Sequence, residues 1–223
     1  MNLTKYIKNK KSKKQYFSNI EVNEMDPLPD NISIKNVLKK LSSILPSHLL
    51  SCIDTINIGQ FKEIKRRKIQ AYYDNKAVFM TNNQVDEDDM IDDIVHEIAH
   101  AVEEKYGGAI YLDGLLKEEF VRKRLQLKEV LQNKGFNMDL KYFIETKYSE
   151  QFDKFLHVTV GYPILRTLTS NIYYSPYAAT SLREYFANGF EAFYLFGHSH
   201  RLKKMSPELY RKLGSLLQHE DRT

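Results

Sequence analysis

The chain has 223 residues and a mass of 26.2 kDa, with 42% hydrophobic residues, 28% charged residues, a formal net charge of +4 and a single cysteine, Cys52. These values are typical of a globular protein with one buried core, and they exclude an internal disulfide and any cysteine-rich zinc module. No apolar run approaches the roughly 18 residues needed to cross a bilayer, so we expect no membrane span.

Basic residues are concentrated at the N-terminus. Six lysines precede the first acidic residue, Glu21, and they exceed the net charge of the whole chain. Such a run can contact nucleic acid or an anionic surface, but a solvated terminus is the commoner case. We therefore predict a basic, disordered arm over residues 1–30 and expect no nucleic-acid partner. No apolar segment follows the lysines, so we expect no Sec signal peptide. The protein is then expected to be cytoplasmic, to be exported by another route, or to be encoded by a phage.

Residues 31–223 are expected to form a single domain. Apolar residues from Ile34 to Leu45 repeat at helical spacing until Pro46 ends the pattern. Three strand-like runs follow, over residues 55–61, 68–73 and 76–81, and a tight turn at Asp74-Asn75 joins the last two. These runs predict a small sheet.

The next segment, residues 86–107, has the strongest helical pattern. Four consecutive acidic residues occupy its first turn, where the helix dipole favours negative charge. An apolar stripe from Met90 to Val102 follows, and Gly107 is expected to end the helix. Further helices are predicted over residues 115–134, 139–156, 181–196 and 206–217, with a loop around 161–163. The mixture of a small sheet with many helices indicates an α+β fold.

The middle of the 86–107 helix carries the sequence His96-Glu97-Ile98-Ala99-His100. Two histidines four residues apart share one helix face, so that their imidazoles can bind the same metal ion. Glu97 follows the first histidine and can take a proton from a metal-activated water. This is the HExxH pattern of zinc proteases.

A catalytic zinc site needs a third protein ligand and one open position. The candidates follow in the C-terminal part of the chain: Glu184, Glu191, His198 and His200. Glu184 also fits a capping box that begins at Ser181, in which its carboxylate would only cap its own helix. The two histidines lie in a polar turn, where we expect them to be exposed.

The run 96–104, followed by Tyr177 and by Glu184-Tyr185-Phe186-Ala187, resembles the catalytic domain of anthrax lethal factor and its relatives. These are gluzincin-type zincins that include secreted Pro-Pro endopeptidases. The resemblance implies one Zn²⁺ per chain held by His96, His100 and Glu184. It also implies that Glu97 acts as the general base and that Tyr177, seven residues before Glu184, donates to the oxyanion.

Two departures from this pattern change the expected architecture. His100 and Glu184 are 84 positions apart, which is longer than the family spacing, so residues of about 115–170 are predicted to be a helical insertion. Asn188 stands where the family has a second acid; either Asn188 or Glu191 could orient a ligating histidine. The predicted fold is zincin-like: a small mixed sheet packed on the HExxH helix, the helical insertion, and C-terminal helices. Its edge strand, residues 77–80, would pair with an extended peptide substrate.

The sequence therefore predicts a zinc metalloendopeptidase that acts on a peptide or protein substrate. Two alternatives stay open. One is a catalytically silent zincin-fold module that binds a partner, such as a toxin subunit or a virion component. The other is a metal-dependent hydrolase of a non-peptide bond. Oligomeric state cannot be read from these patterns.

Overall fold

A computed structural model describes residues 13–197 and 199–217. These residues form an α+β fold with a five-stranded mixed sheet, which confirms the predicted fold class. The chain divides into two compact units, one ending at Lys105 and the other beginning at Tyr106. In the part of the chain that is described, no helix has both the length and the apolar character needed to cross a membrane.

The first unit contains all five strands. The strands are β1 (Lys13–Phe17), β2 (Ile20–Glu24), β3 (Thr55–Ile58), β4 (Ala71–Asp74) and β5 (Ala77–Met80). Its helices are α1 (Ile34–Ile44), α2 (Ser47–Leu50), α3 (Lys62–Arg67) and the greater part of α4 (Glu87–Tyr111).

The strands are ordered β1-β2-β3-β5-β4 across the sheet. β2, β3 and β5 run parallel, with Asn23 opposite Asn57 and Asn57 opposite Phe79, while β1 and β4 are antiparallel to their neighbours. The prediction that residues 77–80 form the edge strand is wrong, because β5 is hydrogen-bonded to β3 on one side and to β4 on the other. The edges of the sheet are β1 and β4.

Part of the predicted N-terminal arm is ordered. Residues 13–24 form the β1–β2 hairpin, and its second strand buries Ile20 and Val22 in the core. Lys14 lies on the exposed strand β1 and pairs with Glu21 at 2.8 Å. The prediction of disorder is therefore wrong for residues 13–24, because alternating apolar side chains on β2 pack into the sheet. Residues 1–12, with the other lysines of the run before Lys13, lie outside the described residues.

One face of the sheet is covered by a helix that the sequence pattern did not predict. Ile64 of α3 packs with Met25, Phe61 and Phe79 in a buried apolar cluster. Only Ile64 of α3 is buried, so the helix shows no apolar periodicity. The β4–β5 turn also differs slightly: Asn75 and Lys76 are its central residues, with φ of 46° and 61°, as in a type I′ turn.

α4 is the predicted HExxH helix. Its N-terminus is capped by Asp86, whose Oδ1 accepts the Asp89 N–H at 2.9 Å. The helix does not end at Gly107 as predicted but continues to Tyr111. Two glycines in a helix cost about 1 kcal/mol each; beyond them Ile110 is only 1% exposed, and we attribute the continuation to the packing of that side chain.

The second unit is helical. After the end of α4 it contains α5 (Leu115–Gln132), α6 (Leu140–Ile144), α7 (Glu150–Lys154), a π-helix (Phe155–Gly161), α8 (Tyr162–Thr169), a 3₁₀ turn (Pro176–Ala179), α9 (Leu182–Tyr194), α10 (Ser199–Met205) and α11 (Pro207–Leu216). The predicted helix over 139–156 is interrupted between α6 and α7. The loop predicted around residues 161–163 is wrong: the π-helix ends at Gly161, which has φ of 86°, and α8 begins at the next residue.

A buried carboxylate on α5 joins three helices of this unit. Glu119 is 1% exposed and accepts the Tyr185 hydroxyl of α9 at 2.8 Å. The same carboxylate accepts the backbone N–H groups of Glu208 at 2.9 Å and Leu209 at 3.1 Å. Glu119 thus supplies from α5 the cap that the first turn of α11 needs.

Candidate metal centre

The two histidines of the HExxH sequence lie side by side on α4. The ring centroids of His96 and His100 are 4.9 Å apart, and the ring planes are nearly perpendicular at 87°. His100 is 7% exposed and His96 is half-buried. The four-residue spacing of a helix therefore does place both imidazoles on one face.

Glu97 is also buried on α4, at 7% exposure. A second carboxylate, Asp93, precedes it by one helical turn. Burial raises the pKa of Asp93 to about 7, a hydrogen bond from the Gln84 amide opposes this, and the charges of Asp89, Asp92 and Glu97 add to the rise. This side of the helix therefore carries several carboxylates whose ionisation is coupled.

A carboxylate that the sequence analysis left without a role lies beside His100. The Oε2 atom of Glu103 is 3.4 Å from the Nδ1 atom of His100. A carboxylate this close to Nδ1 favours the imidazole tautomer with its proton on Nδ1, in which Nε2 is the metal ligand. The signal in the sequence was the three-residue spacing from His100, which places Glu103 on the same helix face.

The predicted third ligand lies near the start of α9. Ser181 is the N-cap of this helix, and its hydroxyl oxygen accepts the Glu184 N–H at 3.1 Å. This bond is the half of the predicted capping box that the serine provides. The Glu184 side chain is half-buried in the first turn of α9.

Tyr177 lies in the 3₁₀ turn that precedes α9, and two bonds from Thr180 hold its carbonyl. The Thr180 N–H donates to it at 3.0 Å and the Thr180 hydroxyl at 2.8 Å. Burial, followed by the negative charge of Glu184, raises the pKa of Tyr177 well above its usual range. The phenol therefore stays protonated at neutral pH and can donate a hydrogen bond.

One group of potential metal ligands is found among the described residues. It consists of His96, His100 and Glu184, and one ligand atom from each lies within 4.8 Å of the others. Two imidazoles and one carboxylate form the donor set of several catalytic zinc sites, in which a fourth position is left for water or substrate. The residues present therefore fit a zinc ion.

Among the described residues, the other candidates Glu191 and His200 are not part of this group. His200 is exposed on α10, as predicted, and His198 lies outside the described residues. Asn188 was one of two residues that could orient a histidine; its Oδ1 accepts the Ser175 hydroxyl and its Nδ2 donates to the Glu184 carbonyl at 3.0 Å. Asn188 thus stabilises the backbone of the helix that carries Glu184.

No family model, curated protein or solved structure matches this chain. The assignment of a function therefore rests on the residues and on their geometry.

Proposed function

We propose that the chain is a zinc-dependent metalloendopeptidase. The observation that carries the proposal is the grouping of His96, His100 and Glu184 within reach of one ion. The two histidines were predicted from their helical spacing and Glu184 from the resemblance to the lethal factor family, and the HExxH helix holds Glu97 beside the two histidines. Zinc held by these residues would supply a Lewis acid that lowers the pKa of water toward about 7.

Glu97 is the proposed general base. Its carboxylate takes a proton from the attacking water while the water oxygen bonds to the scissile carbonyl carbon. It then returns that proton to the amine nitrogen as the C–N bond breaks. The burial of Glu97 supports this role, because a desolvated carboxylate is a stronger base than one in bulk water.

Tyr177 is the proposed donor to the oxyanion. Its raised pKa keeps the hydroxyl proton in place, so the phenol donates to the oxygen on which negative charge develops. The hydrogen bonds from Thr180 to the Tyr177 carbonyl hold this segment at the start of α9.

The strand that pairs with substrate is proposed to be β4, Ala71–Asp74, instead of residues 77–80. β4 is the edge strand next to β5, and none of the described strands pairs with its outer side. An extended peptide can add to such an edge through main-chain hydrogen bonds.

The proposal is tested by the cleavage of a peptide library with and without a chelator, followed by single-turnover cleavage of the best peptide. We expect the chelator to abolish cleavage. We expect Glu97→Gln to retain zinc but to lose at least about 10²-fold in rate, as is typical for loss of a general base. Glu129→Gln, an exposed position on α5, is the matched control and should cleave like the parent. Equal rates in the parent and in Glu97→Gln would refute the proposal, and zinc binding without any cleavage would favour the silent binding module.

A further inference from the structure

An open crevice of about 750 Å³ lies in the first unit, at the carboxyl ends of the three parallel strands. Pro27 lines it in the segment after β2, Gln60 in the segment after β3, and Asn82 in the segment after β5. In sheets with parallel strands, ligands bind at this end, because the connecting segments diverge there. None of the lining residues belongs to the candidate metal centre.

The base of the crevice is held together by side-chain amides. Gln60 Nε2 donates to Asn82 Oδ1, and Asn82 Nδ2 donates to the Pro27 carbonyl at 2.7 Å. The backbone N–H of Gln60 donates to Asp26 Oδ2 at 2.9 Å. These bonds tie the three segments to one another, so little ordering is required when a ligand binds.

The charged lining of the crevice is entirely positive. Lys65 and Lys68 are its titratable lining side chains, and in the described chain neither has a carboxylate within ion-pair distance. Gln70 and Asn83 also line the crevice with exposed side chains. Two acidic residues close to the lining in sequence have partners of their own: Asp26 accepts the Gln60 N–H, and Glu63 pairs with Arg66 at 2.6 Å.

We propose that this crevice binds an acidic segment of a polypeptide. Two ammonium groups attract carboxylates, and the amides of Gln70 and Asn83 can donate to and accept from peptide groups. The apolar side chains of Leu28 and Ile69 line the crevice and can pack against the methylene groups of the ligand's side chains.

The lining favours a peptide over a nucleic acid. Single-stranded nucleic acids bind where aromatic side chains stack on their bases, and the lining contains no aromatic residue. Both cations that line the crevice are lysines, which act as point charges on carboxylates and phosphates alike. Competition by tripolyphosphate therefore distinguishes a phosphate ligand from a carboxylate ligand.

The test is a fluorescence-anisotropy titration of the full chain with a labelled peptide of alternating Glu and Gly residues. The variant Lys65→Gln/Lys68→Asn removes both cations; Asn is chosen because Lys68 has a left-handed backbone, with φ of 56°, which Asn tolerates. The matched control is Lys39→Gln/Lys40→Gln, which removes two exposed lysines of α1.

We expect the parent and the control variant to bind the peptide alike, and the Lys65/Lys68 variant to bind about tenfold more weakly. High salt should weaken binding, and a Gln-Gly peptide should not bind. Backbone amide shifts in an NMR titration should concentrate at Gln60, Gln70 and Asn83. The proposal is overturned if the parent does not bind, if both variants lose affinity equally, or if tripolyphosphate or an oligothymidine competes more strongly than the acidic peptide. These outcomes do not depend on zinc or on cleavage.

Discussion

The Nδ1 atom of His100 lies 3.4 Å from a carboxylate oxygen of Glu103, one helical turn further along α4. We expect Glu103→Ala to weaken zinc affinity about 10- to 100-fold, the usual cost of losing a carboxylate that orients a ligating histidine. Zinc titration against a competing chelator measures this loss. His96→Ala serves as the reference and should abolish stoichiometric binding. Unchanged affinity in Glu103→Ala would show that His100 is oriented by another group.

Glu184→Gln distinguishes a metal ligand from a helix cap. Gln also serves at this position of a capping box, so the metal-free variant should melt at the temperature of the metal-free parent. Its zinc affinity should fall by more than about 100-fold, because a ligand costs more than an orienting partner. His200→Ala, which changes an exposed side chain, should leave zinc affinity intact. The opposite order of effects would move the third ligand to α10.

Tyr177→Phe should reduce kcat by about 10²- to 10³-fold with little change in KM. The phenol donates mainly when charge develops on the carbonyl oxygen, and the loss of one such donor has this effect. Steady-state kinetics on the best library peptide measure both constants. Tyr174→Phe is a control in the same tyrosine-rich segment. A raised KM with unchanged kcat would instead indicate that Tyr177 binds the substrate in its ground state.

Asp93→Asn should change the pH dependence of stability. Burial raises the pKa of Asp93 from 3.8 to about 7 in the folded chain, so the folded state binds more protons than the unfolded state between these values. The free energy of unfolding of the parent therefore falls as pH rises through this window.

Asp93→Asn lacks that carboxyl group, so its free energy of unfolding should not show this part of the decrease with rising pH. Above the folded pKa we expect its stability relative to the parent to exceed the value at acidic pH by about 4 kcal/mol. Urea unfolding in the presence of a chelator, at acidic and at alkaline pH, tests this. Asp88→Asn, at an exposed position on the same helix, should follow the parent. A constant difference between Asp93→Asn and the parent at all pH values would exclude titration of Asp93 as the cause.

The candidate ligands on α4 could be selected from sequence because their signal is local: His96 and His100 lie on one helix at a fixed spacing. Glu184 was one of several candidates for the third ligand, and only the resemblance of residues 184–187 to a known family singled it out. Glu103 was assigned no role from sequence, because an orienting carboxylate is recognised from its distance to a specific ring nitrogen. The role suggested for Asn188 depended on where its amide points, which the sequence does not encode.

The fold was predictable where apolar periodicity is strong, as in α1 and α4. The fold was not predictable for elements that are held in place by a neighbouring element and carry no apolar pattern of their own. β1 has exposed lysines and is held by backbone bonds to β2, and α3 buries only Ile64. The position of β5 inside the sheet follows from its two partners, β3 and β4, and strand order is a non-local property.

The capping of α11 by Glu119 affects the order in which the helices of the second unit can form. The N–H groups that it caps belong to Glu208 and Leu209, which lie 89 and 90 positions later in the chain. During synthesis the acceptor leaves the ribosome before the donors that need it. A C-terminal peptide made alone would contain α11 without its cap, whereas the growing chain already carries the cap when α11 emerges.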